Sequence, residues 1–351
     1  MHTLFTKYKK DITQFLKEFL SYKKSHYANI NPWGTDLLSR LEPFTTSGKM
    51  IRGGLFLFSA NMFGEKNQQE LLKIAAALEL TQAGILIHDD IIDQDLLRRG
   101  QPSIYEQYNL VGQQHNVTNR LHFGTSLGIC AGDSAFFMGL ELLNDVHIDD
   151  ARKRKLLNLF IKEIQIVWLS QMQDVYFGQS SINPSEKEIL NLYRLKTGRY
   201  SFSLPLMLGA IYTGQTDAVL SQLETLGQDL GVMFQIRDDY LGLFGRSETG
   251  KSIGGDICEN KKTLYQYYLF EQAGDPEKKL LHKIFGKSSV TSDELEWVRN
   301  LITALAIDQK IAIQLTQITH EAQQQIGKLS ISAAHKELLI DLVKFNLSRT
   351  V

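Results

Sequence analysis

The chain has 351 residues, 43% of them hydrophobic, and a formal net charge of −1. That length supports one large domain with a sizeable core, and the near-neutral balance supplies no global field to draw nucleic acid or an anionic membrane. The two cysteines, Cys130 and Cys258, lie far apart and match no metal or redox spacing, which fits a reducing cytoplasm.

Helical periodicity dominates, and there are only six prolines to interrupt it. Met1 to Leu20 mixes lysines and acids through its apolar positions, unlike a secretory leader. Phe5, Ile12, Phe15, Leu16, Phe19 and Leu20 there form the stripe of an amphipathic opening helix. Residues 71–93 read as a helix apolar nearly all round, a pattern that belongs in the middle of a bundle. Residues 109–123 are polar and aperiodic and read as a surface loop. Further helices are expected over 155–179, 186–213, 223–241, 262–273, 291–325 and 334–348, the third again apolar all round. No uninterrupted apolar run approaches about 18 residues, so no transmembrane anchor is expected. No Gly/Ser linker splits the chain, and 1–351 is read as a single all-α domain.

Two of these helices end in aspartates. The first gives Asp89-Asp90-Ile91-Ile92-Asp93 with Asp95 beyond, the second Asp238-Asp239 with Gly242 where a third acid could stand. Asp89 and Asp93 are i and i+4 and share one helix face. Unpaired carboxylates are costly to bury, so two such clusters call for cations. Hard oxygen ligands with no nearby cysteine favour Mg2+, which completes its shell with water and phosphate. The plainer reading is an exposed helix end or an ion-paired loop. It is stronger for the second cluster, where Arg237 is adjacent. His88 could act as a base, but a packed histidine is the commoner outcome.

Basic residues beside glycine recur: Gly48-Lys49-Met50-Ile51-Arg52-Gly53-Gly54, Arg98-Arg99-Gly100, Lys196-Thr197-Gly198 and Gly250-Lys251, with Asn260-Lys261-Lys262-Thr263 a further basic pair. Glycine lets backbone approach an anion, and arginine offers phosphate a bidentate fork. Singly, each is an ordinary solvated charge. Acids and bases together suggest a metal-bridged polyphosphate.

These motifs resemble those of the trans-isoprenyl diphosphate synthases. The run from His88 through Asp93 to Arg98-Arg99-Gly100-Gln101-Pro102 is similar to that family's first aspartate-rich motif, and Phe234-Gln235-Ile236-Arg237-Asp238-Asp239 to its second. Six motifs agree in order and spacing over about residues 40–270; the first 40 and last 80 residues add only helical pattern. The resemblance implies an all-α helical bundle around a deep central cavity, the isoprenoid synthase fold, with three Mg2+ ions at its mouth. It places Asp89 and Asp93 on two ions and Asp238 on the third, helped by Asp239 and, through water, Asp256, with Asp90 in the catalytic set. It gives Arg98, Lys196 and Lys251 to an allylic diphosphate, and Lys49, Arg52, Gln82 and Arg99 to isopentenyl diphosphate. Thr197 and Gln235 would line the reacting carbons, Lys261 would add charge at a lid, and the protein would be a homodimer.

The implied chemistry is ionisation of an allylic diphosphate, attack by the double bond of isopentenyl diphosphate on the carbocation, and loss of a proton. A helical turn rises about 5.4 Å, close to one isoprene unit. Gly84 and Ile85, five and four places before Asp89, would therefore set the cavity floor, with Thr81 a turn deeper. None is aromatic, so the product would pass C15. A C20 product, geranylgeranyl diphosphate, is expected, with longer chains open. A terpene cyclase or head-to-head synthase has no reason to keep Lys49, Arg52 and Gln82, and a non-catalytic partner subunit should have lost an acid cluster.

Overall fold

The computed structural model describes residues 2–65, 67–245 and 254–348. In chain order it has α1 (His2–Tyr27), α2 (Pro32–Thr46), α3 (Ile51–Met62), α4 (Gln68–Ile92), a hairpin of β1 (Leu97–Arg98) and β2 (Gln101–Pro102), α5 (Ile104–Gln114), α6 (Arg120–Asn144) and α7 (Asp150–Gln179). After these come α8 (Glu186–Tyr193), a π-helical stretch (Arg194–Ser203), α9 (Leu204–Tyr212), α10 (Asp217–Phe244), α11 (Gly255–Cys258), α12 (Leu264–Gln272), α13 (Asp275–Ile284), α14 (Ser292–Ala304), α15 (Ile307–Lys328) and α16 (Ala333–Ser348). The fold is all-α, as expected. The helices segregate into two compact units, one of Met1–Leu157 and Leu208–Gln215, the other of Asn158–Met207 and Thr216–Val351.

In the first unit α4 is the central helix, with Ile74, Ala75, Ala77, Leu78 and Leu80 all buried. It can approach α6 closely because α6 offers glycines where α4 presents side chains. A β-carbon on Gly128 would lie 2.8 Å from Ile91, one on Gly132 2.3 Å from His88, and one on Gly139 2.8 Å from Thr81. Thus Thr81, Gly84, His88 and Ile91 define the face of α4 turned to α6. Gln82, Ile85, Asp89 and Asp93 follow one another at three- and four-residue steps along another face.

In the second unit α10 is the counterpart, starting at a Thr216 cap that accepts from the Val219 N–H. The π-helical stretch packs on it backbone to backbone: a β-carbon on Gly231 would lie 2.1 Å from Gly198 Cα, and one on Gly227 2.4 Å from Ser203 N. Tyr193, Val232, Ile236, Leu264, Tyr268, Ile302 and Ile307 belong to one buried cluster behind it.

Three expectations are corrected. Residues 109–123 are not a loop: α5 and α6 run through most of them, and only 115–119 connect the two. Tyr105, Tyr108 and Gly112 bury one side of α5, so its polar look comes from the solvent side alone. The expected helix over 291–325 is broken at Leu305–Ala306, with Ala306 at φ 51. Its buried positions Val298, Ile302, Ile307 and Ile311 skip five residues at the break, which no continuous helix keeps on one face. The helix over 186–213 widens to π geometry around Lys196-Thr197-Gly198, an irregularity that periodicity cannot reveal. By length and composition alone α4 and α6 could span a bilayer, and 67% and 44% of their apolar windows are buried inside the protein.

Candidate active site

In the first unit the acids cluster at the C-terminal end of α4, where the helix dipole disfavours negative charge. Asp93 caps the helix, its N–H donating to the Asp89 carbonyl at 2.8 Å, so Asp89 and Asp93 do share a face. Asp90 points the other way and is fully buried. Arg98 meets it there: Nε donates to Asp90 Oδ1 at 2.7 Å, and Nη2 also reaches Asp95 at 3.4 Å and Asp89 at 3.9 Å. Asp90 Oδ2 has no hydrogen-bond partner among the described residues. Burial raises the Asp90 carboxyl to about 7 against the opposing pull of Arg98.

The hairpin explains how Arg98 gets there. Arg98 pairs with Gln101 across a two-residue turn in which Arg99 (φ 54) and Gly100 (φ 73) are both left-handed. That is the geometry whose twist suits a tight hairpin. Gly100 therefore serves the turn, and no atom outside it comes within 4 Å of the β-carbon it lacks. Arg99 is sent to the end of α2, donating to the Phe44 carbonyl at 3.0 Å and Ser47 Oγ at 2.8 Å.

Lys49 and Arg52 flank the N-terminus of α3, reached through Met50 at φ 53. Beneath it the buried Glu79 accepts from the Gly53 N–H at 2.8 Å. Burial raises its carboxyl, while the Gly53 N–H, Arg52 and Arg99 hold it down. Gly53 also serves helix packing: a β-carbon there would lie 2.9 Å from the Ala75 carbonyl. Gln82 is half-buried, and its Oε1 has no partner among the described residues.

The expected floor residues part company. Thr81 and Gly84 are buried against α6, and a side chain on Gly84 would begin 2.8 Å from the Gly132 carbonyl and 3.0 Å from the Phe136 ring. Neither lies on the face below Asp89; Ile85, half-buried, does. His88 is packed, lodged over Gly132 with Nε2 3.2 Å from the Ile129 carbonyl.

In the second unit Asp238 is half-buried and Asp239 buried. Expected as a metal ligand, Asp239 instead spends both oxygens on protein donors. Tyr193 Oη donates to Oδ2, and Gln235 Nε2 to Oδ1 at 2.9 Å. Burial and the neighbouring Asp256 raise its carboxyl to about 8. Thr197 Oγ1 donates to Gln235 Oε1 at 2.8 Å. Lys196 Nζ sits 2.5 Å from Asp174 of α7, a partner that sequence reading missed. Lys261 Nζ is 2.5 Å from Glu259 and 3.9 Å from Asp256. Gly250 and Lys251 lie outside the described residues. Arg237, which sequence reading set beside Asp238 and Asp239, has its guanidinium carbon 4.5 Å from the centre of the Tyr240 ring.

Tyr193 and Asp174 lie outside the motifs, and the pairing of Arg98 with Asp90 inside the first motif has no signature of its own. The i, i+4 spacings of Tyr193 with Thr197 and of Gln235 with Asp239 are the local signal of a paired arrangement.

Comparison with known proteins follows these features. The family model for polyprenyl synthetase matches residues 37–302. The chain is 32% identical over 262 residues to the geranylgeranyl diphosphate synthase of Saccharolobus solfataricus, covering 74% of each chain. It is 27% identical over 311 residues to the geranylfarnesyl diphosphate synthase of Aeropyrum pernix, covering 86% of this chain and 90% of that one. The crystal structure of the geranylgeranyl pyrophosphate synthase of Corynebacterium glutamicum, complexed with isoprenyl diphosphate and magnesium, superposes with a TM-score of 0.90 at 28% identity, over 98% of this chain and 99% of that one. Motifs, fold and relatives agree, and the chain belongs to the polyprenyl synthetase family.

Proposed function

We propose that this polyprenyl synthetase joins isopentenyl diphosphate head to tail to an allylic diphosphate and releases trans-geranylgeranyl diphosphate, C20, or a somewhat longer chain. The reading rests on the acid face at the end of α4. There Asp89 and Asp93 stand together at the negative pole of the helix, above Ile85 and Gln82 on the same face.

That arrangement fits Mg2+. The donors are hard carboxylate oxygens gathered on one helix face, and a helix C-terminus offers them no relief. Asp89 and Asp93 would hold two ions and Asp238 a third. When bound, magnesium supplies positive charge to the departing pyrophosphate.

The protein's own groups do the rest. Arg98, Lys196 and Lys251 would bind the allylic diphosphate and stabilise charge as its C–O bond breaks. Lys49, Arg52, Arg99 and Gln82 would hold isopentenyl diphosphate so that its double bond meets the allylic carbon. Thr197 and Gln235 would border the reacting carbons, and Lys261 would sit at the closing side. No side-chain nucleophile is needed, and the pyrophosphate formed can take the proton. Apolar walls shield the carbocation from water.

A homodimer is the assembly we favour. In α6, Ile129 and Phe137 are 45% and 71% exposed; in α7, Leu169 and Met172 are 65% and 68% exposed. Apolar surface of that kind is usually covered by a partner. Two free thiols, Cys130 and Cys258, suit a reducing compartment.

The test is pyrophosphate release with Mg2+. Release that requires both isopentenyl and an allylic diphosphate, and disappears in Asp89→Ala and Asp238→Ala, is expected. Release from the allylic diphosphate alone would point to a cyclase and overturn the reading.

A further inference from the structure

The π-helical stretch and α10 are laced by a ladder of side-chain hydrogen bonds. Tyr193 and Thr197 stand one turn apart on one strand of it, Gln235 and Asp239 one turn apart on the other. The rungs are Tyr193 Oη to Asp239 Oδ2 and Thr197 Oγ1 to Gln235 Oε1 at 2.8 Å. Gln235 Nε2 to Asp239 Oδ1, at 2.9 Å, joins them along α10. The Tyr193 oxygen also accepts from the Leu264 N–H at 3.0 Å, which ties in the start of α12 just beyond Lys261 and Lys262.

Each rung of this ladder pairs one donor with one acceptor. Tyr193 gives its proton to Asp239 and takes one from Leu264. The Gln235 amide accepts at its oxygen and donates at its nitrogen, which fixes its orientation. Tyr193 is 5% exposed, Thr197 9% and Asp239 3%, so water cannot substitute for a lost partner without rearrangement. Glycine contacts of Gly198 with Gly231, and of Gly227 with Ser203, already bring the two backbones together. These contacts fix the depth of approach and the coarse register of the two backbones, since a side chain in place of either glycine would clash. The rungs add side-chain restraints on the turn from Tyr193 to Thr197, and Lys196 lies inside that turn.

We propose that this ladder, headed by Tyr193, sets the register of Lys196 and Thr197 against Asp238, and that Tyr193 is a positioning residue for the condensation. The proposal rests on the prenyl-transfer reading above. Tyr193 touches no substrate in it; it acts through Asp239. Asp239 in turn works as an anchor for the ladder, with Asp238 beside it as the outward acid.

The experiment compares wild type, Tyr193→Phe, Thr197→Val and the Tyr193→Phe/Thr197→Val double variant by steady-state kinetics with farnesyl and isopentenyl diphosphates at saturating Mg2+. Both substitutions keep side-chain volume and remove one rung. Each single variant is expected to lose about tenfold in kcat, the scale of one buried hydrogen bond. KM for isopentenyl diphosphate should stay within about twofold, because Lys49 and Arg52 stand at the start of α3, outside the ladder. The double variant should lose little more than either single one, since the two rungs are joined through Gln235 and Asp239 and loss of either already loosens the turn that carries Lys196. Multiplicative losses, a rise in KM with kcat unchanged, or wild-type kinetics in the single variants would overturn the proposal. Should Tyr193→Phe fail to fold, Asp239→Asn, which takes away the acceptor of the Tyr193 proton, decides it by the same split of kcat from KM, because Thr197 itself borders the reacting carbons. Absence of condensation by wild type would instead refute the reading beneath it, and the two failures are told apart in one set of assays.

Discussion

Asp256 Oδ2 lies 2.7 Å from the point where a β-carbon on Gly242 would sit. This acid of α11 thus enters the volume that a third acid on α10 would have filled, and the missing side chain at 242 is what admits it. Only the tip of Asp256 needs to move for alanine to fit. Gly242→Ala should therefore fold normally and turn the carboxylate away. We expect the Mg2+ concentration for half-maximal activity to rise about tenfold, as for loss of an outer-shell group. An unchanged midpoint would show that Asp256 plays no part in metal binding.

The two faces of α4 predict opposite outcomes at adjacent positions. Gly84→Phe drives a ring into the Gly132 carbonyl and Phe136, and should cost about 1–3 kcal/mol or more in stability. Ile85→Phe lies on the face of Asp89 and should keep the melting temperature while shortening the product to C15. Product sizing with a thermal melt on both variants settles it; a stable Gly84→Phe that makes shorter chains would refute the assignment of faces.

Asp90 and Asp239 both hold protons more tightly folded than unfolded, at about 7 and about 8 against an ordinary value near 3.9. The stability this gives is fully present below the unfolded value and is lost as pH rises through the folded one. The metal-free protein should therefore melt at a lower temperature at pH 9 than at pH 6, and Mg2+ should narrow the gap. A melting temperature that climbs over that range in EDTA would contradict the burial of these two acids.

Arg98 is the only ion-pair partner of Asp90 among the described residues. Arg98→Met leaves a buried carboxylate uncompensated, a change that costs about 3–5 kcal/mol when the acid is ionised. At pH 6 Asp90 can take a proton instead, so the loss should shrink there. Denaturant unfolding at pH 6 and pH 8.5 measures this directly, and a pH-independent loss would mean that the pair is not what holds Arg98.

Periodicity revealed the two apolar helices and the acids at their ends, because burial all round a helix leaves an unmistakable run of aliphatic residues at 74–87 and 226–236. It could not separate the α6-facing side of α4 from the acid-facing side, since a helix buried everywhere has no polar stripe to mark direction. The partners Asp174, Glu79 and Tyr193 were hidden for a different reason. Each is distant in sequence from the residue it holds, and pairing across 22 to 46 residues has no local signature. The glycines beside basic residues misled: Gly53 and Gly198 serve helix packing and Gly100 a turn, all demands of backbone geometry that a motif reading assigns to anions.

The most direct measurement is the mass of the product formed from isopentenyl diphosphate with dimethylallyl, geranyl or farnesyl diphosphate in Mg2+. A C20 or slightly longer prenyl diphosphate, absent in Asp89→Ala, is the expected result. Pyrophosphate released from the allylic substrate with no elongated product, or no turnover of any of the three, would contradict the account.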